Sequence, residues 1–225
     1  ERQAAVQPKR LPQLLRFDPV NALIVMEYLS PHVILRKELI SGRRFKHLAE
    51  HLGVFLAETL FRSSDFHLPT ARKKADMALF AGNVSMCAIT ENLGDTQPHL
   101  DAPLNRWTRP QLDGPALALR TDRAAKIGAQ EMLYRFATKS EALLHGDLHT
   151  GSIMVTSTDT RIIDPEFAFY GPMGFDIGAL IANLYLAYFA QEGYGDDPEE
   201  RIHSGEWLLE TAESLWSVFA ESFAR

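Results

Sequence analysis

One cysteine, Cys87, is all that the 225 residues contain, so no disulfide can form within the chain and a reducing, cytoplasmic setting is expected. Long apolar runs are missing too. The most hydrophobic stretch, Ile177 to Ala190, falls short of the ~20 residues that cross a bilayer and includes Asn183. It argues against a membrane partner and predicts a helix buried on all sides. Basic charge is scarce: 23 Lys and Arg stand against 29 Asp and Glu, a net charge of -6 that disfavours nucleic acid as a partner. Repeats and low-complexity tracts are absent as well. The chain opens on Glu1 rather than Met and ends at Arg225 in a helical pattern, so a fragment of a longer polypeptide is expected.

What is present suits a packed domain. Hydrophobic residues make up 46% of the chain, enough to bury a substantial core. After a turn-rich opening at Pro8 to Pro12, Leu14–Phe17 and Leu23–Tyr28 read as strands around an Asp18-Pro-Val-Asn21 turn. Ser30-Pro31 then breaks the pattern. Phe45, Leu48, Leu52, Phe55, Thr59 and Leu60 recur at helical spacing. Asn92 to Pro115, rich in Pro, Asp, Asn and Gly, reads as a long ordered loop. Thr121 to Phe136 reads as a helix capped by Thr121 or Asp122. Two short β-rich runs, Ile153–Val155 and Arg161–Ile163, flank a Ser157-Thr-Asp159 turn, and Trp207 to Phe219 marks a last amphipathic helix. The expected fold class is α+β: residues 1–30 form a scrap of sheet and a hinge, and residues 31–225 a mainly helical domain with one β-hairpin.

The chemistry concentrates in two stretches, His145-Gly-Asp-Leu-His-Thr-Gly-Ser152 and Ile163-Asp-Pro-Glu166. If the intervening strands pair antiparallel, the open end of the hairpin brings Ser152 beside Asp164, since neighbouring strands lie ~4.8 Å apart. On an extended backbone Asp164 and Glu166 would share a face. Two carboxylates and a hydroxyl provide hard oxygen ligands for Mg²⁺, with nucleotide phosphates and water completing the shell. Asp147 remains free to face an acceptor hydroxyl. Phosphoryl transfer asks for this division of labour: one carboxylate orienting the nucleophile, others holding metal against phosphate. All three acids are expected to line one cleft around a single nucleotide-bound Mg²⁺.

The order resembles the catalytic loop and metal motif of kinases, with His145-Gly146-Asp147 first, Ser152 at the position of the usual Asn, and Asp164-Pro165-Glu166 last. Gly in the middle of the first motif resembles the small-molecule branch of aminoglycoside, choline and sugar kinases. His145-Gly-Asp-Leu-His-Thr-Gly-Ser-Ile-Met154, Ile163 to Asp176 and Pro31-His-Val-Ile-Leu-Arg-Lys37 are similar to the methylthioribose kinase family, as are Gly82-Asn-Val84, Thr90-Glu91 and Asn105-Arg-Trp107. The resemblance implies a bilobal, protein-kinase-like fold, a homodimer, and ATP- and Mg²⁺-dependent phosphorylation of the 1-hydroxyl of methylthioribose in methionine salvage. It implies that Asp147 is catalytic, that Asp164, Glu166 and Ser152 hold metal, and that Met26, Glu27, Tyr28 and Leu29 form the hinge that meets adenine. His149 and Ser152 would lie near the phosphates. No glycine-rich phosphate loop precedes Leu11 and no early strand carries an ATP-binding lysine, so the nucleotide lobe is expected to be cropped and the fragment alone to turn over little. The family's sugar-binding arginines would lie beyond Arg225.

Two other readings compete: a kinase of another small acceptor (an aminoglycoside, choline or homoserine), and a catalytically incomplete binding module. His145 reads as a structural loop residue and Asp176 as an N-cap; the family resemblance implies that Asp176 also braces the catalytic loop. Arg36 and Lys37 read as phosphate contacts or surface charges, and Trp107 as a packing anchor. His47 and His51 fit an inverted zinc-protease spacing without a third ligand, and their face, turned from the apolar stripe, reads as solvated.

Overall fold

A computed structural model of the chain describes residues 2–195 and 197–225, apart from the side chain of Asp95. The chain opens with α1 (Arg2–Val6), followed by the antiparallel ribbon β1 (Leu14–Asp18) and β2 (Leu23–Met26). The ribbon's turn is set by Asp18, whose carboxylate accepts from the Asn21 backbone and side chain at 3.1 and 2.9 Å. Those bonds hold its carboxyl below the ordinary carboxylate range. Leu15, Phe17, Leu23, Ile24 and Met26 on the ribbon are all exposed.

Short β3 (Val33–Ile34) leads into α2 (Leu35–Ile40), and then α3 (Leu48–Ser63) supplies the apolar stripe expected from its spacing. The helix starts three residues later than the stripe does; Phe45 is buried just ahead of it, its carbonyl accepting from Leu48 N at 3.2 Å. Next come α4 (Thr70–Phe80) and α5 (Val84–Ile89), then α6 (Asp113–Thr121) and α7 (Arg123–Thr138). Asp122 caps α7, accepting from Ala124 N and Ala125 N at 2.8 and 3.0 Å. The stretch expected as a loop is more ordered than its composition suggested. A π-helical turn spans Thr90–Thr96, a 3-10 turn spans Gln97–His99, and α6 begins inside the Pro-rich part.

The second half carries β4 (Ala142–Leu143), the hairpin β5 (Ile153–Val155) and β6 (Thr160–Ile162), and β7 (Tyr170–Gly171). Helices α8 (Gly174–Phe189) and α9 (Pro198–Phe223) follow. The three small sheets are β1–β2, β3–β5–β6 and β4–β7, all antiparallel. The architecture is thus mostly helical α+β.

The core lies where α3, α8 and α9 meet: Leu52, Leu56 and Leu60 pack with Leu180, Leu184, Leu208, Leu215 and Phe219. Helix α8 departs from the expectation of burial on all sides. Ile177, Leu180 and Leu184 are buried, but Tyr185, Leu186 and Phe189 are exposed. Only one stripe meets α9, so a uniformly apolar sequence here does not mean enclosure.

Candidate active site

Strands β5 and β6 pair as the sequence suggested, with Ile153 opposite Ile162 and Val155 opposite Thr160, one residue earlier on the second strand than expected. One further ladder bond, Ile163 N to Ser152 O at 2.9 Å, carries the pairing to the open end of the hairpin. Ser152 therefore sits across from the residue preceding Asp164.

The His145–Ser152 loop is wired to its surroundings mainly through the main chain. Asp176, buried in the first turn of α8, accepts from His145 N at 2.6 Å and Gly146 N at 3.0 Å. It lies two residues inside the helix, so it braces the loop and does not cap α8. Burial raises the Asp176 carboxyl above its ordinary value, while neighbouring His145 and the two N–H donors pull it back. His145 is itself fully buried, with Nε2 2.9 Å from Ile163 O and Nδ1 accepting from Asp147 N at 3.3 Å. These contacts fix its tautomer with the proton on Nε2. The structural role expected of His145 is what its contacts describe.

Gly146 explains the glycine of the first motif. Its φ is +84°, and a Cβ there would overlap the Phe167 carbonyl oxygen and lie 2.7 Å from the carbonyl carbon. The loop is therefore pressed directly against the turn that carries the acidic pair.

That turn differs from the extended segment expected. Asp164 is left-handed, with φ 66° and ψ 52°, and Pro165–Phe167 forms a 3-10 turn. An Asp in this left-handed region, usual for glycine, costs on the order of 1–2 kcal/mol and is a strained position of the kind that gathers at functional sites. Asp164 and Glu166 are both exposed. Asn83 Nδ2 clamps the turn from outside, donating to Glu166 O at 2.8 Å and Ala168 O at 3.1 Å. Among the described residues no three His, Cys, Asp or Glu side chains are gathered into a ready cation site. Asp164 and Glu166 are exposed on the turn and Asp147 is half-exposed on the loop, so the tight cluster expected is not preformed among the described residues.

Asp147 is half-exposed, and His149 Nε2 stands 3.3 Å from its Oδ2. Ser152 Oγ donates to Asp147 O at 3.0 Å and is buried. Arg36 reaches Thr150 Oγ1 at 3.3 Å and His149 Nδ1 at 3.2 Å, so it belongs to the loop and is more than a surface charge. The proposed hinge is tied to the same hairpin by Glu27–Arg161 at 3.3 Å. Met26 and Tyr28 are exposed, and Glu27 N donates to Gln13 O at 2.8 Å. Among the described residues no hydrogen bond joins Met26, Glu27, Tyr28 or Leu29 to Asp147, Asp164 or Glu166.

Elsewhere, Trp107 lies between the guanidinium groups of Arg109 and Arg120, 4.3 and 4.6 Å from its ring, and donates to Asp113 at 2.6 Å, as a packing anchor would. His51 Nδ1 faces Thr160 Oγ1 at 3.1 Å, and its ring stacks on His47. Its face is therefore partly covered by β6 and less solvated than its distance from the apolar stripe suggested.

Sequence reasoning missed Asn83 as a turn clamp and the left-handed Asp164. Asn83 had been noticed only within a matching tripeptide; its partners are 83 and 85 residues away.

Comparison with known proteins adds to this geometry. A family profile described as "Phosphotransferase enzyme family" matches residues 5–203. The chain is 51% identical over 213 residues to a protein from Escherichia coli O45:K1 named methylthioribose kinase, covering 95% of this chain and 51% of that protein. It is 46% identical over 217 residues to methylthioribose kinase 1 of Oryza sativa subsp. japonica, covering 96% of this chain and 50% of that protein. The chain thus spans about half the length of the curated relatives it matches. Among solved structures, a glucosamine kinase superposes over 100% of this chain and 57% of its own, with a TM-score of 0.57 and 16% identity, a likeness of fold alone.

Proposed function

The chain belongs to the phosphotransferase enzyme family, and on that premise we propose that the protein containing it transfers the γ-phosphoryl group of ATP to the 1-hydroxyl of 5-methylthioribose. The observation that carries this reading is the docking of the His145–Ser152 loop on the Asp164–Phe167 turn through Gly146. It joins the loop that bears Asp147 to the turn that bears Asp164 and Glu166, which supports reading them as one site. Identity of 40–51% to proteins named methylthioribose kinase, over nearly the whole chain, supports the acceptor.

In this reading Asp147 accepts a hydrogen bond from the 1-hydroxyl and takes up its proton as the phosphoryl group transfers. An anomeric hydroxyl is more acidic than an ordinary alcohol, so orienting it outweighs removing its proton. Asp164 and Glu166 fit Mg²⁺: both are exposed hard-oxygen donors on one rigid turn, and this ion ordinarily takes one or two carboxylates together with phosphate oxygens and water. Ser152 stands at the position of a further ligand, and His149 beside the phosphates. When bound, the metal would neutralise charge on the phosphate oxygens. Met26, Glu27, Tyr28 and Leu29 form the hinge that meets adenine.

Residues 1–30 are then part of a nucleotide-binding lobe and residues 31–225 the helical catalytic lobe of a kinase-like fold. Support comes from the β1–β2 ribbon, whose apolar side chains are exposed on both faces; an isolated two-stranded ribbon is marginal in water and calls for further strands. The active unit would be a cytoplasmic homodimer. ADP release by the full-length protein, measured across methylthioribose, an aminoglycoside, choline and homoserine, tests the reading. Release confined to methylthioribose supports it, and release with another acceptor alone replaces the substrate.

A further inference from the structure

His149, like the buried His145, has both ring nitrogens against named groups, but it is His149 whose Nε2 meets the side chain of Asp147. Nε2 lies 3.3 Å from Asp147 Oδ2. Nδ1 accepts from Gly151 N at 2.8 Å, with the Arg36 guanidinium at 3.2 Å and Ser152 Oγ at 3.4 Å. A proton on Nδ1 would face the Gly151 N–H and Arg36 donors, so the neutral ring carries its proton on Nε2, aimed at Asp147.

The backbone has been shaped around this ring. A Cβ at Gly151 would lie 2.6 Å from His149 Cε1, 2.9 Å from Nδ1 and 3.2 Å from an Arg36 nitrogen. Gly151 does not have a positive φ. Its missing side chain is therefore a matter of space for the imidazole and not of backbone conformation. Arg36 is held in turn by Thr150 Oγ1, and its own backbone N donates to Thr150 O at 3.0 Å, which fixes α2 against the loop.

We propose that His149 is a positioning residue for Asp147: its Nε2–H fixes one carboxylate oxygen, leaving the other to receive the acceptor hydroxyl. The inference rests on the phosphotransferase reading and deepens it. A half-exposed carboxylate at the end of a short side chain rotates freely unless something holds it, and an angstrom of misplacement is costly in a near-attack geometry. Gly151 and Arg36 fix the ring, the ring fixes the acid, and Asp176 fixes the main chain beneath both.

The test has two arms on the full-length protein. In the first, long-range proton–nitrogen correlation spectra of ¹⁵N-histidine-labelled protein read the His149 tautomer, assigned by its loss in His149→Asn. The Nε2–H form is expected; the Nδ1–H form overturns the proposal. In the second, His149→Asn keeps an acceptor near Nδ1 but no donor toward Asp147, whereas His149→Gln places an amide donor near Nε2. Expected is a fall in kcat of roughly 10²-fold for the Asn variant, with KM for ATP unchanged and kcat largely restored by Gln. Gly151→Ala, which crowds the ring without removing it, lowers kcat in the same way. A rise in KM for ATP at unchanged kcat overturns the proposal, because His149 would then be serving nucleotide phosphate. If the wild-type protein phosphorylates nothing, the kinase reading falls, and the tautomer arm still decides the geometry on its own.

Discussion

Gly146 meets the Phe167 carbonyl so closely that no side chain fits between them. This contact joins the loop bearing Asp147 to the turn bearing Asp164 and Glu166, and it is made by main chain. Gly146→Ala combines a left-handed alanine, about 1–2 kcal/mol, with a clash of the overpacking kind, about 1–3 kcal/mol. Urea unfolding is expected to show a loss of about 2–5 kcal/mol from these two sources together. A loss below about 1 kcal/mol would mean that the loop and the turn can separate freely.

Asp176 supports the same loop from below. Asp176→Ala leaves the buried N–H groups of His145 and Gly146 without their acceptor. At about 1–3 kcal/mol for each unsatisfied group, denaturant unfolding should show a loss of about 2–6 kcal/mol. Asp176→Asn keeps one acceptor oxygen and should lose less. Equal losses in the two variants would contradict the paired arrangement.

Stability should respond to mild acid through His51. Burial lowers its pKa below the ordinary value, and the Arg10 charge lowers it further. The unfolded chain therefore binds the proton more readily than the folded one. The contribution is fully present above the unfolded pKa, near 6.5, and is lost as pH falls through that value toward the folded pKa. Comparing urea midpoints at pH 7.5 and pH 5.5, wild type should lose more stability than His51→Asn, whose side chain does not titrate. Identical pH dependence in both would remove His51 from the balance.

Much of this was legible in the sequence, and what was not has identifiable causes. The β5–β6 hairpin and the α7 cap were readable because strand periodicity and an Asp ahead of a helix are local signals. The turn after β6 was misread as extended because nothing in Asp-Pro-Glu announces a left-handed Asp164; that conformation is held by Asn83 and by packing under Gly146. Helix α6 was hidden by the Pro and Gly in its first turn, which read equally well as loop. Helix α8 looked enclosed because composition reports apolarity, whereas exposure depends on which neighbours exist. Arg36 lies far along the chain from the loop it holds, and periodicity cannot reveal such a partner; the brace at Asp176 was legible only through the family resemblance.

Glu166 carries a claim about metal. Glu166→Ala should leave a Mg²⁺ site with one carboxylate fewer, raising the Mg²⁺ concentration for half-maximal rate by at least about tenfold. An unchanged Mg²⁺ titration of the full-length protein would remove Glu166 from the ligand set. Retained folding of the variant, read by its melting temperature, separates this effect from damage to the turn.

The most direct measurement is steady-state phosphorylation of methylthioribose by the full-length protein and by Asp147→Asn, with ATP binding measured in parallel. The expected result is transfer by the wild type, a fall in kcat of about 10²–10⁴-fold in the variant, and ATP affinity within about twofold. Wild-type turnover in Asp147→Asn would contradict the role given to the acid on which the whole site is built.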